Sequence, residues 1–170
     1  PTRIAQTIVL GTGGAMLLDA LDMVPDIYHM NEGHSIALNF YLYNKYKNLD
    51  DVKQRVVFTT HTPEMAGNEA HGYQILQEMS LFQGLNAREV KDMLGLDGDN
   101  FNYTLAALKF ARKANGVSKL HGQVARQMWG DNHCTCDIIS ITNAQNKGYW
   151  KDIVLDQAIG DNDDNQLIRR

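Results

Sequence analysis

Four short groups of polar residues in this chain have the chemistry to grip a hydroxyl-rich ligand. Asn31, Glu32 and His34 follow a run at 26–30 (DIYHM). His61 and Thr62 follow RVVFTT at 55–60. His121 follows VSKL at 117–120, and Thr142 and Asn143 follow IISI at 138–141. Imidazole, amide, hydroxyl and carboxylate groups can each donate to or accept from the ring hydroxyls of a sugar. Any one of these residues alone suits a cap or a satisfied core position equally well. What sets them apart is repetition, because each group closes a segment that reads as a strand.

The elements that must position these groups alternate in type. Residues 2–22 read as mainly helical, with Ile4, Ile8, Met16 and Leu17 near helical spacing. Pro25 breaks that pattern and a short strand follows at 26–30. Residues 32–47 form a helix pattern with Ile36, Phe40 and Tyr43 on one stripe, and Lys45 and Lys47 suit its C-terminal dipole. The continuous apolar stretch 56–58 inside the strand 55–60 fits a parallel sheet covered on both faces. Asn86 and Glu89 form a capping-box pair before the stripe Val90, Met93, Leu94, and Gly95 is the stop. Helices are expected at 103–113 and 122–129, and strands at 117–120 and 138–141. Strands alternating with helices predict an α/β fold, a Rossmann-like mostly parallel sheet with flanking helices, in a single domain over 1–170. Ligands in such sheets bind beyond the carboxyl ends of the strands, where the four polar groups fall.

Other motifs yield to simpler readings. LGTGGA at 10–15 hints at a phosphate cradle but lacks the third glycine at the right spacing, so helix packing or a bend is expected. His133, Cys134 and Cys136 offer soft ligands, but one residue between the cysteines and no second pair argue against a structural metal site. Asp161, Asp163 and Asn165 echo a calcium loop whose sixth position is Gln166 instead of glycine, which predicts a solvated acidic turn and no metal.

Composition excludes further classes. The chain has 170 residues, enough for one domain with a real core, and a net charge of −4. Arg112, Lys113 and the other cations are scattered, so no basic field favours nucleic acid. No apolar run approaches the roughly 20 residues that span a membrane. The opening PTRIAQT has neither an initiator Met nor a signal core, which points to an excised or processed chain. Cysteines separated by one residue rarely bridge, and a reducing, cytoplasmic setting is expected.

The segments YHMNEGHS, VVFTTHTPEMAGNE, ANGVSKLHGQVARQMW and ISITNAQNKGYW occur here in an order that resembles α-glucan (glycogen or maltodextrin) phosphorylases, above all the shorter bacterial and archaeal type. The likeness runs from about Gly11 to Trp150. It implies the later part of the N-terminal domain of a GT-B fold. It also implies an enzyme that cleaves α-1,4-glucans with phosphate, releasing glucose 1-phosphate with retention. Pyridoxal phosphate would supply a phosphate group for acid/base chemistry, held by a lysine that is not in this chain. By the same resemblance, His121 is the catalytic histidine beside the glucosyl ring. Its side chain would bind a ring hydroxyl, and its carbonyl would face the developing positive charge. Asn31, Glu32 and His34 would line the sugar pocket, with His61, Thr142 and Asn143 on the same wall. α-Glucan, phosphate, a missing C-terminal domain and a second subunit are the implied partners.

Two departures stand out. The family pattern after the last strand is TNG with a histidine two residues on, whereas this chain has Thr142, Asn143, Ala144 and then Asn146. The glycine-rich loop upstream and the cofactor domain downstream are absent, so the isolated chain is expected to be inactive. The alternatives are a non-catalytic carbohydrate-binding or regulatory module on the same fold, and a glycosyltransferase using a sugar nucleotide.

Overall fold

The first 20 residues form one unbroken helical rod: α1 (Thr2–Ile8), a π-helical turn (Val9–Gly13) and α2 (Gly14–Ala20). The computed structural model describes residues 1–130 and 136–168, except the side chains of Gln166 and Leu167. The rod buries Ile4, Thr7, Gly11 and Ala15 along one stripe and leaves Val9, Leu10, Met16 and Leu17 exposed. A Cβ at Gly11 would lie 2.6 Å from both the Leu38 nitrogen and the Ser35 oxygen. The glycine is there so that two backbones can touch, which is the packing role expected for LGTGGA.

The chain continues through β1 (Tyr28–Asn31), a 3-10 turn (Gly33–Ser35), α3 (Ala37–Tyr46), α4 (Leu49–Arg55) and β2 (Val56–Thr60). A second 3-10 turn (Met65–Gly67) leads to β3 (Ala70–Gly72), α5 (Tyr73–Glu78), α6 (Ala87–Leu94) and β4 (Asn100–Asn102). Then come α7 (Tyr103–Phe110), β5 (Lys113–Gly116), α8 (Lys119–Trp129), β6 (Ile138–Ser140), α9 (Lys147–Trp150), α10 (Ile153–Gly160) and α11 (Asp164–Ile168). β1, β2, β5 and β6 pair in that order, all parallel, so the α/β class with a parallel sheet and flanking helices is observed. β3 and β4 form a separate antiparallel ribbon.

One face of the sheet carries the core. Met30, Val56, Phe58, Ala114 and Ile138 are buried there, and Phe40 meets Phe82, Phe101 and Phe110 edge-on or tilted at centroid distances of 5.1, 5.9 and 5.3 Å. Aromatic pairs of this kind add about 0.5–1.5 kcal/mol each beyond their burial. The other face is more open. Alternation along the strands puts His29, Asn31, Val57, Thr59, Asn115 and Ile139 on it, and His29, Asn31 and Ile139 are exposed. β2, on which the expectation of two covered faces rests, is buried or half-buried throughout, and the cover is missing at His29, Asn31 and Ile139 of the outer strands.

Several boundaries also move. The strand expected at 117–120 lies instead at Lys113–Gly116, and the helix expected at 103–113 stops at Phe110. β5 ends in Gly116 where α8 sits hard against it. A Cβ on Gly116 would meet the Gly122 nitrogen at 2.8 Å. Ser118 then caps α8, accepting from the His121 N–H, so that helix begins three residues earlier than the apolar pattern suggests. The helix expected from Glu32 starts as the 3-10 turn, because Glu32 itself has φ 63°. At the other end Lys47 is a left-handed C-cap, and Lys45 pairs with Asp19 at 2.6 Å across to α2. The capping box of α6 is present in both directions, and Gly95 ends that helix with φ 57°. No helix among the described residues is long and apolar enough to cross a membrane.

The two helix glycines give opposite stability predictions. Gly11→Ala should destabilise the fold by about 1–3 kcal/mol through overpacking. At Gly14 an added Cβ would find nothing within 4 Å, so substitution by Ala should gain up to about 1 kcal/mol from helix propensity. Urea unfolding of both variants checks this, and equal effects would contradict the packing argument.

Candidate functional site

The strand ends are tied together by Glu32. It sits one residue past β1, and its N–H donates to the Thr59 carbonyl of β2 at 2.8 Å. Its carboxylate oxygen Oε2 accepts the His61 N–H at 2.7 Å and the Thr62 hydroxyl at 3.1 Å. Glu32 therefore staples the exit of β1 to the exit of β2. It does so at φ 63°, ψ 176°, a backbone region suited to glycine. A non-glycine residue there costs about 1–3 kcal/mol and persists only where its surroundings fix it. The other carboxylate oxygen, Oε1, is buried with no protein partner.

Across β2 the histidines take defined forms. His61 Nε2 bonds the amide oxygen Oδ1 of Asn31. An amide oxygen only accepts, so Nε2 carries the proton. His121 lies in the first turn of α8 and is 7% exposed. Its Nδ1 accepts the Val117 N–H at 3.2 Å, which places the proton of the neutral ring on Nε2. Nε2 is buried and finds no partner. Burial pushes the His121 pKa down from its ordinary value, the Glu32 carboxylate opposes this, and His61 adds to it. His121 is thus held as a neutral ring with an unused N–H donor, in the electrostatic reach of both Glu32 and His61. Leaving a buried donor unmade costs about 1–3 kcal/mol, and an orphan of this kind at a rim suits a ligand.

The last strand joins through its backbone. Ile141 N–H donates to the Gly116 carbonyl and Asn143 N–H to the Val117 carbonyl, both at 3.0 Å. Val117 thereby links Asn143 to His121. The Thr142 and Asn143 side chains are exposed. Gly122 allows this closeness, since a Cβ there would lie 2.1 Å from Ser140 Oγ. Asn146, a departure from the expected pattern, caps α9 by accepting the Tyr149 N–H. His34 sits in the 3-10 turn after Glu32, between a groove of about 570 Å³ beside the first helix and a polar cavity of about 60 Å³ bordered by Glu32 and Thr62.

The structure thus gathers Asn31, Glu32, His61 and His121 into one bonded or electrostatically coupled set, with His34 close to Glu32 in the chain and Asn143 joined to Val117 by its backbone N–H, while the side chains of Thr142 and Asn143 stay outside the set. Two features escape sequence reasoning. His29 Nε2 pairs with the Thr59 hydroxyl at 2.8 Å, and that hydroxyl donates to Asn115 Oδ1 at 2.8 Å, a polar line across three strands. Only the period-two alternation of polar residues through these strands signals it. Arg3, whose Nη2 contacts His34 Nδ1 at 3.3 Å, lies 31 residues away in sequence and carries no local signal.

Among the described residues no cluster of three or more His, Cys, Asp or Glu could hold a metal. His133 and Cys134 lie outside the described residues. Cys136 is a free thiol, pushed up to about 11 by burial. Asp161 and Asn165 are exposed around the turn between α10 and α11.

Comparison with known proteins agrees with this architecture. The chain is 41% identical over 168 residues to an uncharacterised protein of Methanocaldococcus jannaschii, covering 99% of this chain and 31% of that one. It is 38% identical over 137 residues to maltodextrin phosphorylase of Thermococcus litoralis, covering 75% of this chain and 16% of the relative. It is 32% identical over 179 residues to glycogen phosphorylase of Mycobacterium tuberculosis, covering 87% of this chain and 21% of the relative. The chain therefore spans less than a third of the length of these relatives. The catalytic domain of starch synthase IV from Arabidopsis thaliana, solved with ADP and acarbose, superposes with a TM-score of 0.55 at 18% identity, over 79% of this chain and 28% of that one. That likeness places the parallel sheet and its helices in a GT-B glycosyltransferase fold. Residues 2–132 match the family model of the starch synthase catalytic domain, and the chain belongs to that glycosyltransferase family.

Proposed function

We propose that this chain is part of an α-1,4-glucan phosphorylase and supplies one wall of its glucosyl site. The observation that carries the reading is the buried, unpartnered Nε2–H of neutral His121 within reach of Glu32 and His61. A sugar hydroxyl there would accept that hydrogen bond and relieve the orphan donor. The Asn31–His61 pair and the exposed Thr142 and Asn143 would hold further hydroxyls. Relatives named maltodextrin and glycogen phosphorylase at 38% and 32% identity support this substrate class.

Pyridoxal phosphate does not fit the donor set of this site. The converging residues are Asn31, Glu32, His34, His61, His121, Thr142 and Asn143, and none is a lysine that could tether the coenzyme. In the proposal the coenzyme, the phosphate cations and the subunit interface belong to other parts of a longer protein. This chain's residues bind and orient the glucosyl ring.

A second reading, transfer from a sugar nucleotide, is favoured by the match to the starch synthase family. Product analysis separates the two. A longer protein containing this chain should form glucose 1-phosphate from maltodextrin and inorganic phosphate. Chain elongation from a nucleotide sugar, with no phosphate-dependent product, would replace phosphorolysis by synthesis. A third outcome, saturable maltooligosaccharide binding with neither activity, would identify a binding module.

Two substitution predictions follow from His121. In the longer protein, His121→Ala should lower turnover by about 10²–10³-fold, the loss typical of one preorganised donor. Turnover close to wild type would remove His121 from the site. The second concerns pH. A folded histidine held below its ordinary value binds its proton later than the unfolded chain does, so stability falls as pH drops below about 6.5. The stability difference between wild type and His121→Asn, measured by urea unfolding from pH 8 down to 5, should therefore shift against wild type as pH falls. A difference independent of pH would contradict burial of a neutral ring.

A further inference from the structure

We infer that Arg3 and Glu69 are positioning residues that fix the tautomer of His34, so that its Nε2 is presented as an N–H donor. The inference deepens the proposed function, because it states how one wall residue is prepared, and it rests on that reading only for the identity of the ligand.

The geometry starts at Arg3 in α1. Its Nη2 lies 3.3 Å from His34 Nδ1. A guanidinium has five N–H donors and no lone pair, so the ring nitrogen facing it must be the one with the lone pair. The proton of the neutral imidazole then sits on Nε2. Arg3 is itself held, since its Nε donates to Glu69 Oε2 at 3.1 Å. Glu69 uses its second oxygen as well, with Oε1 contacting His71 Nε2 at 2.9 Å. The His71 ring packs against Tyr103 at a tilt, 5.5 Å between centroids. Both carboxylate oxygens are thus engaged, and the direction of the Arg3 fork is set from below.

The backbone at both ends is fixed too. Gly33, just before His34, packs so closely on Tyr103 that a Cβ would lie 2.9 Å from the Tyr103 Cβ. The Tyr103 N–H donates to the Glu69 carbonyl at 3.0 Å. Thr104 donates its hydroxyl to Asn68 Oδ1, and Asn68 Nδ2 donates to the Glu64 carbonyl at 2.8 Å. Asn68 and Glu69 therefore have a physical role, which is to hold the carboxylate that aims Arg3. The β3–β4 ribbon supports it from one side, because Glu69 immediately precedes β3 and Tyr103 immediately follows β4.

The test is spectroscopic and uses the 170-residue chain labelled with ¹⁵N-histidine, at a pH of about 8.5, where histidine is neutral. In wild type, His34 Nδ1 should resonate as an unprotonated ring nitrogen and Nε2 as an N–H nitrogen. Arg3→Met should move the two resonances towards each other as the tautomers begin to exchange, and Arg3→Lys, which keeps a donor, should restore the wild-type pattern. Glu69→Gln should shift them in the direction of Arg3→Met by a smaller amount, and it decides the matter if Arg3→Met does not fold. A proton on Nδ1 in wild type, averaged wild-type shifts, or variants indistinguishable from wild type would each overturn the inference. The spectra need no glucan. A failed tautomer prediction leaves the assay for glucose 1-phosphate untouched, and a failed assay leaves the tautomer result standing.

Discussion

The site depends on one carboxylate that joins two strand exits. Glu32 bonds the backbone of His61 and the hydroxyl of Thr62 while its own N–H reaches Thr59. The Asn31–His61 pair is a second link between the same two exits. Glu32 adopts a glycine-like backbone conformation to make its own link. Such strain is tolerated where the surrounding structure fixes it, and it tends to collect where geometry matters for function. Gly33, the next residue, then packs on Tyr103 and sets His34. Binding groups from two strands and one turn are thereby referenced to a single side chain.

Close backbone packing does the corresponding work on the other side of the sheet. Gly116 in β5 and Gly122 in α8 allow strand and helix to touch. This brings His121 to the rim with Nδ1 occupied by Val117 and Nε2 left over. The same contact lets Asn143 bond the Val117 carbonyl. His61, His121 and His34 each face a partner that fixes which ring nitrogen bears hydrogen: an amide oxygen, a backbone N–H and a guanidinium. Ring nitrogens with assigned partners are suited to binding hydroxyls, which need donors and acceptors at known places.

Much of the framework is legible in the sequence because its signals are local. The apolar runs of β1 and β2, the capping box of α6 and the alternation of strands with helices all predict elements that are present. Three of the polar groups follow apolar strands that are present, β1, β2 and β6, whereas His121 lies in the first turn of α8, beyond β5. What stays hidden is non-local. β5 reads KANG and lacks a hydrophobic signature: Gly116 has no room for a side chain against α8, and Asn115 lies on the more open face. The apolar pattern therefore points to a strand at 117–120, four residues late. The strain at Glu32 and the Arg3–Glu69 brace arise from contacts between segments that no periodicity reports, and the His29–Thr59–Asn115 line leaves only a period-two alternation that does not name its partners. The short helices α4 and α5 and the antiparallel ribbon lack strong periodic patterns as well.

The central claim is that these strand ends surround one sugar ring. A crystal structure of a longer protein containing this chain, grown with a maltooligosaccharide, tests it most directly. The account predicts a glucosyl hydroxyl at about 3 Å from His121 Nε2, an ordinary hydrogen-bond distance, with the same ring reaching the Asn31–His61 pair. A sugar seated elsewhere, with that nitrogen still lacking a partner, would contradict it.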